Sequence, residues 1–439
     1  MILRMIARSS FCLAAAALLA GCETTQDPQV WSDLRLPTTQ VWSGGEVQLV
    51  STEFAGSTLP SVSMNGNGLS LTRINDSTVA AQLPDGNGVR DLRVELAGFV
   101  AVDTQITLHG FRSAETGPFL SGFLQYLAPQ PWVLGAGDTG LVEVDVRTNT
   151  VLRQWPDSVH SSDCTWGVGP SVRAGHYVFF GKIGNACTHP WVWQYGPTLT
   201  RVDSLFGVED TWSFAEIGPG GTVGGSDDYL TLPVCDSAGC AQDLLINMGG
   251  ALTGVTVGRT AGRAILHSLF GWLVDAASGD TLRRITWLLG APMQHVEGVV
   301  FTPAEDTAYA LVSQWGNGPL PSIWVVDPAD GALLDTLIIP DLIGMDLASD
   351  PVRPWLYVFA VEKPYVTSGL PVLRIIDRAT HATVATLRGP VSEAISLSQW
   401  HQFRIVLDPA MDAAYVVATV QVYNVHGVRP RILRFDLVP

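Results

Sequence analysis

The chain has 439 residues, of which 47% are apolar and 15% charged, and its formal net charge is −16. That apolar share excludes a disordered chain, and the negative charge weighs against a nucleic-acid partner, because little here could neutralise phosphates. Lysine occurs only at Lys182 and Lys363, and the length suits two or three domains with a sizeable core.

Residues 1–21 read as a leader. Arg4 and Arg8 supply a basic start, an apolar run follows from Phe11 to Ala20, and Gly21 precedes Cys22. This order describes a secretory signal, and the run is too short to span about 30 Å of hydrocarbon as a permanent helix. Leu19-Ala20-Gly21-Cys22 closely resembles the lipobox of bacterial lipoproteins. The resemblance implies cleavage before Cys22, acylation of that cysteine, and a membrane partner held through the lipid. Two or three acyl chains anchor more firmly than the marginal hold of one. Glu23 follows, not the Asp that resembles an inner-membrane retention signal, so the expected address is the outer membrane. Residues 22–29 are polar and are expected to form a tether. Ordinary secretion with an incidental Cys22 is the alternative.

Of six cysteines, Cys12 leaves with the leader and Cys22 carries lipid. Cys164, Cys187, Cys235 and Cys240 remain, and an even number in an exported chain points to disulfides. Cys235-Asp-Ser-Ala-Gly-Cys240 reads as a hairpin staple, which leaves Cys164 and Cys187 to pair. The competing metal site lacks His or Cys at zinc spacing.

Residues 30–111 read as short strands, among them 46–50, 70–73, 78–83 and 91–96. The turns between them are rich in Gly and Asn, which supply the positive φ that hairpins need. Strands at this spacing predict a small β-sandwich. The stretch from Ile74 through Leu83-Pro-Asp-Gly-Asn-Gly88 to Val94 resembles the immunoglobulin-like TIG domain. Residues 112–118 read as a linker.

From Phe119 onward the sequence repeats. Each unit has an alternating strand ending in Asp or a substitute, a turn bearing Gly or Asn, and a second alternating strand. Val142-Glu-Val-Asp145-Val-Arg-Thr-Asn149 is one copy; others end at Asp275, Asp327 and Asp377, and Leu433-Arg-Phe-Asp436 is the last. Degenerate copies are centred on Tyr195 and Asn247. The seven anchors then lie 50, 52, 28, 52, 50 and 59 residues apart. A period near 50 with four short strands per unit is the signature of a β-propeller, and residues 112–439 resemble the YVTN and quinoprotein-like propellers. The expected fold is therefore all-β: a seven-bladed propeller preceded by a small immunoglobulin-like sandwich. The 28-residue gap leaves six or eight blades open. The chain stops three residues after Asp436, before an outer strand, so residues near Arg112–Phe119 are expected to return and close the last blade.

Motifs for chemistry are sparse. Gly135-Ala-Gly137-Asp-Thr-Gly140 matches a dinucleotide fingerprint, but the residues after it alternate as a strand where a phosphate-binding helix is required. Asp85-Gly-Asn87-Gly-Val-Arg-Asp91 has the flavour of a calcium loop without its closing Glu, and reads as a turn.

Better candidates lie where blades begin, because inner strands converge on a propeller axis. They are His160, Asp163 and Trp166; Asp210 and Trp212; His295 and Glu297; and Trp400 and His401. Aromatic platforms beside carboxylates suit sugars, peptides or cationic ligands. The same groups could hold a divalent cation, as resembling lactonase-like propellers do. Inter-blade packing is the structural alternative, and Trp191, Trp193, Trp272 and Trp324 are assigned to it. No cofactor is expected beyond that cation. The leading expectation is a non-catalytic envelope lipoprotein that binds or scaffolds protein, peptide or glycan. A metal-dependent hydrolase or lyase using His295, Glu297, His401 and Asp163 is the alternative. A third, weaker resemblance is to the lipoprotein propeller of the barrel-insertion machinery.

Overall fold

The computed structural model describes residues 28–31, 33–56, 58–118, 121–126, 130–136, 140–156, 294–314, 321–362, 368–396, 402–419 and 430–437, and between 157 and 293 the strands named below. The described residues are all-β in class. It divides into two compact units. One gathers the chain up to Val41 with residues 46–83 and 88–107; the other gathers Leu108 onward with Trp42–Gly45 and Pro84–Asn87.

Unit 1 is built on two sheets. One has the order Gln40–Trp42, Val102–His109, Gly88–Glu95, Ser61–Met64, Asn67–Gly68; the other has Glu46–Val50, Thr78–Gln82, Leu71–Asn75. Alternation explains the buried face: in Glu46–Val50, Val47 and Leu49 are buried while Glu46 and Gln48 are exposed. Val62, Met64, Leu92, Val94 and Ile106 are buried from the larger sheet.

Among the described residues, unit 2 holds seven four-stranded antiparallel sheets, the first six of them meanders in chain order. Sheet 1 is Ser121–Tyr126, Trp132–Ala136, Gly140–Asp145 and Thr150–Pro156. Sheet 2 is Thr165–Val168, Tyr177–Ile183, Trp191–Gln194 and Thr200–Ser204. Sheet 3 is Ser213–Ile217, Gly221–Gly225, Tyr229–Asp236 and Gly239–Asn247. Sheet 4 is Gly254–Val257, Arg263–His267, Gly271–Asp275 and Thr281–Ile285. Sheet 5 is Gln294–Phe301, Ala308–Gln314, Ser322–Val326 and Leu333–Ile338. Sheet 6 is Leu342–Ser349, Trp355–Glu362, Pro371–Asp377 and Thr383–Arg388. Sheet 7 takes Gln402–Asp408, Ala413–Thr419 and Arg431–Asp436 from the end of the chain, and its outer strand is Phe111–Thr116. Leu433 pairs with Ala114 and Arg431 with Thr116, so the segment just before sheet 1 supplies the outer strand of sheet 7.

The repeated Asp has a local cause. Asp377 Oδ1 accepts the amides of Ala379 and Thr380 at 3.0 and 2.8 Å, and Asp145 Oδ1 does the same for Arg147 and Thr148 at 2.8 and 3.2 Å. The carboxylate thus organises the turn, and the fourth residue after it takes positive φ: Asn149 at 55°, Gly331 at 71° and His381 at 58°. Each of these turn residues reaches the outer strand of another sheet. Asn149 Nδ2 donates to Thr116 O at 3.1 Å, and His381 Nδ1 lies 2.9 Å from Asp335 Oδ2. Gly331 lies so close to Arg283 and Ile285 that a Cβ there would meet their side chains at 3.2–3.3 Å.

One anchor is corrected. The third strand of sheet 3 ends at Asp236, and Asn247 ends the fourth strand, opposite Tyr229. Taken from Tyr195 to Asp236 to Asp275, the spacings become 41 and 39, and the anomalous 28-residue gap disappears. Asp236 stands opposite Gly239, so here an Asp closes the third strand and a Gly opens the fourth.

Consecutive sheets share apolar cores. Ile265 and Leu273 pack with Val296 and Ala310 between sheets 4 and 5, and Tyr309 and Ile323 with Leu347 and Val358 between 5 and 6. Phe359 and Leu387 pack with Phe403 and Phe435 between 6 and 7. Val133 and Val144 of sheet 1 join Val406 and Tyr415 of sheet 7. Burial on both faces explains why Ala413–Thr419 is buried at every residue and reads as a continuous apolar run. Trp191, Trp193, Trp272 and Trp324 all fall within strands; Trp324 is buried and its Nε1 donates to Ser322 Oγ at 3.0 Å.

Candidate functional site

The first strands carry the candidate site, because they lie against one another. Those of sheets 1 and 2, 3 and 4, 4 and 5, 5 and 6, and 6 and 7 are neighbours, and the first strand of sheet 7 neighbours that of sheet 1.

Trp166 is the second residue of the first strand of sheet 2, opposite Lys182. His295 is the second residue of the first strand of sheet 5, opposite Ser313. Glu297 is the extra residue of a bulge between Val296 and Gly298, and is half-buried. His160, Asp163, Asp210, Trp212, Trp400 and His401 lie outside the described residues, as do Cys22, Cys164, Cys187 and the leader. In the sequence His160 and Asp163, Asp210 and Trp212, and Trp400 and His401 come just before the first strands of sheets 2, 3 and 7. Cys235 and Cys240 stand directly opposite in the third and fourth strands of sheet 3.

Aligning sheets 5, 6 and 7 on Thr302-Pro303, Asp350-Pro351 and Asp408-Pro409 reveals a row that motif reading missed. Four residues earlier in each stand Gly298, Asp346 and Arg404. Asp346 is 1% exposed. Its Oδ2 accepts the Ile405 amide at 2.6 Å, and Arg404 Nη1 lies 3.4 Å from Oδ1. A methyl group on Gly298 would come within 3.3 Å of the same Oδ1, so glycine leaves room for the carboxylate. Burial pushes the Asp346 carboxyl above the usual range, opposed by Arg404 and by the amides of Ile405 and Leu347. Asp346 therefore ties one first strand to the next by capping a backbone N–H of that strand. The same alignment places His295 and His401 at equivalent positions, seven residues before Thr302 and Asp408.

At the other end of these strands a pocket of about 100 Å³ lies between the turns that follow the first strands of sheets 6 and 7. It is acidic by composition, with Asp350, Asp408 and Asp412 at its wall, but each carboxylate is engaged. Asp350 accepts the amides of Val352 and Arg353 and the Tyr357 hydroxyl at 2.7–2.9 Å. Asp408 takes two hydrogen bonds from Arg147, and Asp412 pairs with Arg353. The tyrosines Tyr309, Tyr357 and Tyr415 recur seven residues after the aligned Thr or Asp, and of these Tyr357 bonds to a wall carboxylate, that of Asp350. Such a saturated network positions turns and leaves no carboxylate for a ligand.

Two other motifs show no binding geometry among the described residues. Gly135 and Gly140 lie on paired antiparallel strands, with Ala136 opposite Leu141, so no helix follows to receive a phosphate. In the 85–91 stretch, Gly86 N donates to Ser43 Oγ at 2.8 Å and Asn87 Nδ2 to Asp436 Oδ2 at 3.1 Å. Among the described residues no three His, Cys, Asp or Glu side chains gather as a metal site, and no helix is long and apolar enough to cross a membrane. Comparison with known proteins returns no matching family model and no matching curated relative.

Proposed function

We propose that the chain is a lipid-anchored envelope protein in which an immunoglobulin-like sandwich carries a seven-bladed β-propeller, and that the propeller is a non-catalytic binding module for protein, peptide or glycan. The observation that carries the reading is the adjacency of first strands for sheets 1 and 2, 3 and 4, 4 and 5, 5 and 6, and 6 and 7, with sheet 7 meeting sheet 1. Seven four-stranded sheets, the last completed by Phe111–Thr116, support a propeller with a shared outer-strand seam. Trp166, His295 and Glu297 stand on first strands, which such an architecture gathers around its axis. Leu19-Ala20-Gly21-Cys22 supports acylation at Cys22 and export to the outer membrane. The facing positions of Cys235 and Cys240 support a staple in sheet 3, since opposed strand residues lie about 4.5–5.5 Å apart at Cα, within disulfide reach.

The test is a ligand screen by thermal shift, using oligosaccharides, peptides and calcium separately, on wild-type protein and on the double variant Trp166→Ala/His295→Ala. A sugar or peptide shift that the variant loses supports binding at the first strands. A calcium-dependent shift accompanied by turnover of an ester or lactone replaces the reading with the metal-dependent enzyme.

A further inference from the structure

One end of unit 1 is apolar where a turn is ordinarily polar. The connection between Gly88–Glu95 and Val102–His109 runs Leu96-Ala-Gly-Phe-Val-Ala101, with no polar side chain in six residues. Ala97 and Gly98 are exposed, as is Val100, at 43%. The incoming chain lies beside this turn: Gln29 N donates to Gly98 O at 2.7 Å, and Val100 N donates to Gln29 O at 2.8 Å. Val30 is 79% exposed. Trp31 completes the patch, its ring centroid 4.8 Å from Phe99 and 5.9 Å from buried Phe54, and its Nε1 donates to Val100 O at 2.8 Å.

The occupant of this surface follows from the sequence that leads into it. Cys22 stands seven residues before Gln29, so an acylated sulfur lies at most about 25 Å of extended chain from the patch. A tether that short holds the end of unit 1 within reach of the bilayer surface. Trp31 and Phe99 with exposed aliphatic neighbours have the composition that partitions into the headgroup boundary. We infer that Val30, Trp31 and the turn Leu96–Ala101 dock onto the lipid surface, so that the protein is seated on its membrane and not merely leashed to it. The inference rests on acylation of Cys22.

Full-length mature protein reconstituted into phosphatidylcholine vesicles with brominated acyl chains tests it, since bromine quenches only nearby indoles. Wild type is expected to lose tryptophan emission, and Trp31→Phe to lose clearly less. The exposed-site double variant Val30→Asp/Val100→Asp, with Trp31 retained, is expected to float with the vesicles to the same extent but to escape most of the quenching. Protein that floats while wild type, Trp31→Phe and the double variant are quenched equally overturns the docking and leaves acylation standing; a protein partner for the patch would give that outcome. Wild type that does not float, with no acyl mass on Cys22, overturns acylation and this inference together.

Discussion

Arg147, in the turn after the third strand of sheet 1, grips Asp408, at the end of the first strand of sheet 7, through Nε at 2.7 Å and Nη2 at 3.0 Å. The two residues are 261 positions apart. Asp408 is 2% exposed, whereas the Arg147 side chain is 37% exposed, so the carboxylate depends on this partner. Removing Arg147 strands a buried charge, a change that costs about 3–5 kcal/mol for a fully buried pair and sits at the low end here because the guanidinium is half-solvated. Arg147→Ala should lower the urea midpoint sharply, and Arg147→Met/Asp408→Leu should recover much of the loss. Equal additive losses in the double variant would show that the pair is not coupled.

The seam in sheet 7 is tested through Phe435, fully buried and edge-on to Phe111 at 5.5 Å. Phe435→Ala should cost about 3–5 kcal/mol in chemical unfolding. Leu282→Ala, at a side chain 46% exposed on an outer strand, should stay within about 0.5 kcal/mol. Deleting residues 111–116 should leave Arg431–Asp436 as a bare edge and promote aggregation; light scattering unchanged from wild type would count against the pairing.

Asp346 separates hydrogen bonding from charge. Asp346→Ala orphans the Ile405 amide and should cost about 1–3 kcal/mol, while Asp346→Asn keeps an acceptor there and should cost less. Because the folded chain holds this proton more tightly than the unfolded one, stability falls as pH rises from the ordinary value of 3.8 through the raised one. That decline should vanish in Asp346→Asn, as measured by unfolding across the acid range.

Asp33 carries the opposite sign. Its carboxylate accepts from the Thr52 hydroxyl, the Thr52 amide and the Ser51 hydroxyl at 2.6–2.7 Å, which hold its pKa at about 2. The contribution is therefore present above 3.8 and is lost as pH falls towards about 2. A carboxyl titration of the protein by NMR should place Asp33 at about 2, well below the ordinary 3.8, and Ser51→Ala/Thr52→Ala should return it towards 3.8.

The staple between Cys235 and Cys240 should be visible as a non-reduced tryptic peptide about 2 Da lighter than its reduced form. Its closed loop is short, so Cys235→Ser/Cys240→Ser should cost only about 2 kcal/mol. Alkylation of both thiols in the native, unreduced protein would refute the bridge.

Strands and turns were legible because their causes are local. Asp145, Asp327 and Asp377 announce turns whose amides they bind, and continuous apolar runs such as Ala413–Thr419 announce strands covered on both faces. The same reasoning failed at sheet 3, where Asn247 drew the anchor away from Asp236 because the stretch from Asp236 to Gly239 was already explained by two flanking cysteines. The row Gly298, Asp346, Arg404 went unnoticed since nothing local marks it: a glycine, an acid and a base share no motif, only a place in three successive first strands.

The sequence by itself settled the all-β class and the repeat, since each follows from backbone pairing and side-chain alternation within a few residues. Only the tertiary structure decided that Arg147 answers Asp408, that Asp346 caps Ile405, and that Leu433 takes Ala114 as its partner. These contacts join residues 59 to over 300 positions apart. Their energies depend on burial and approach, which exist only once the sheets have packed.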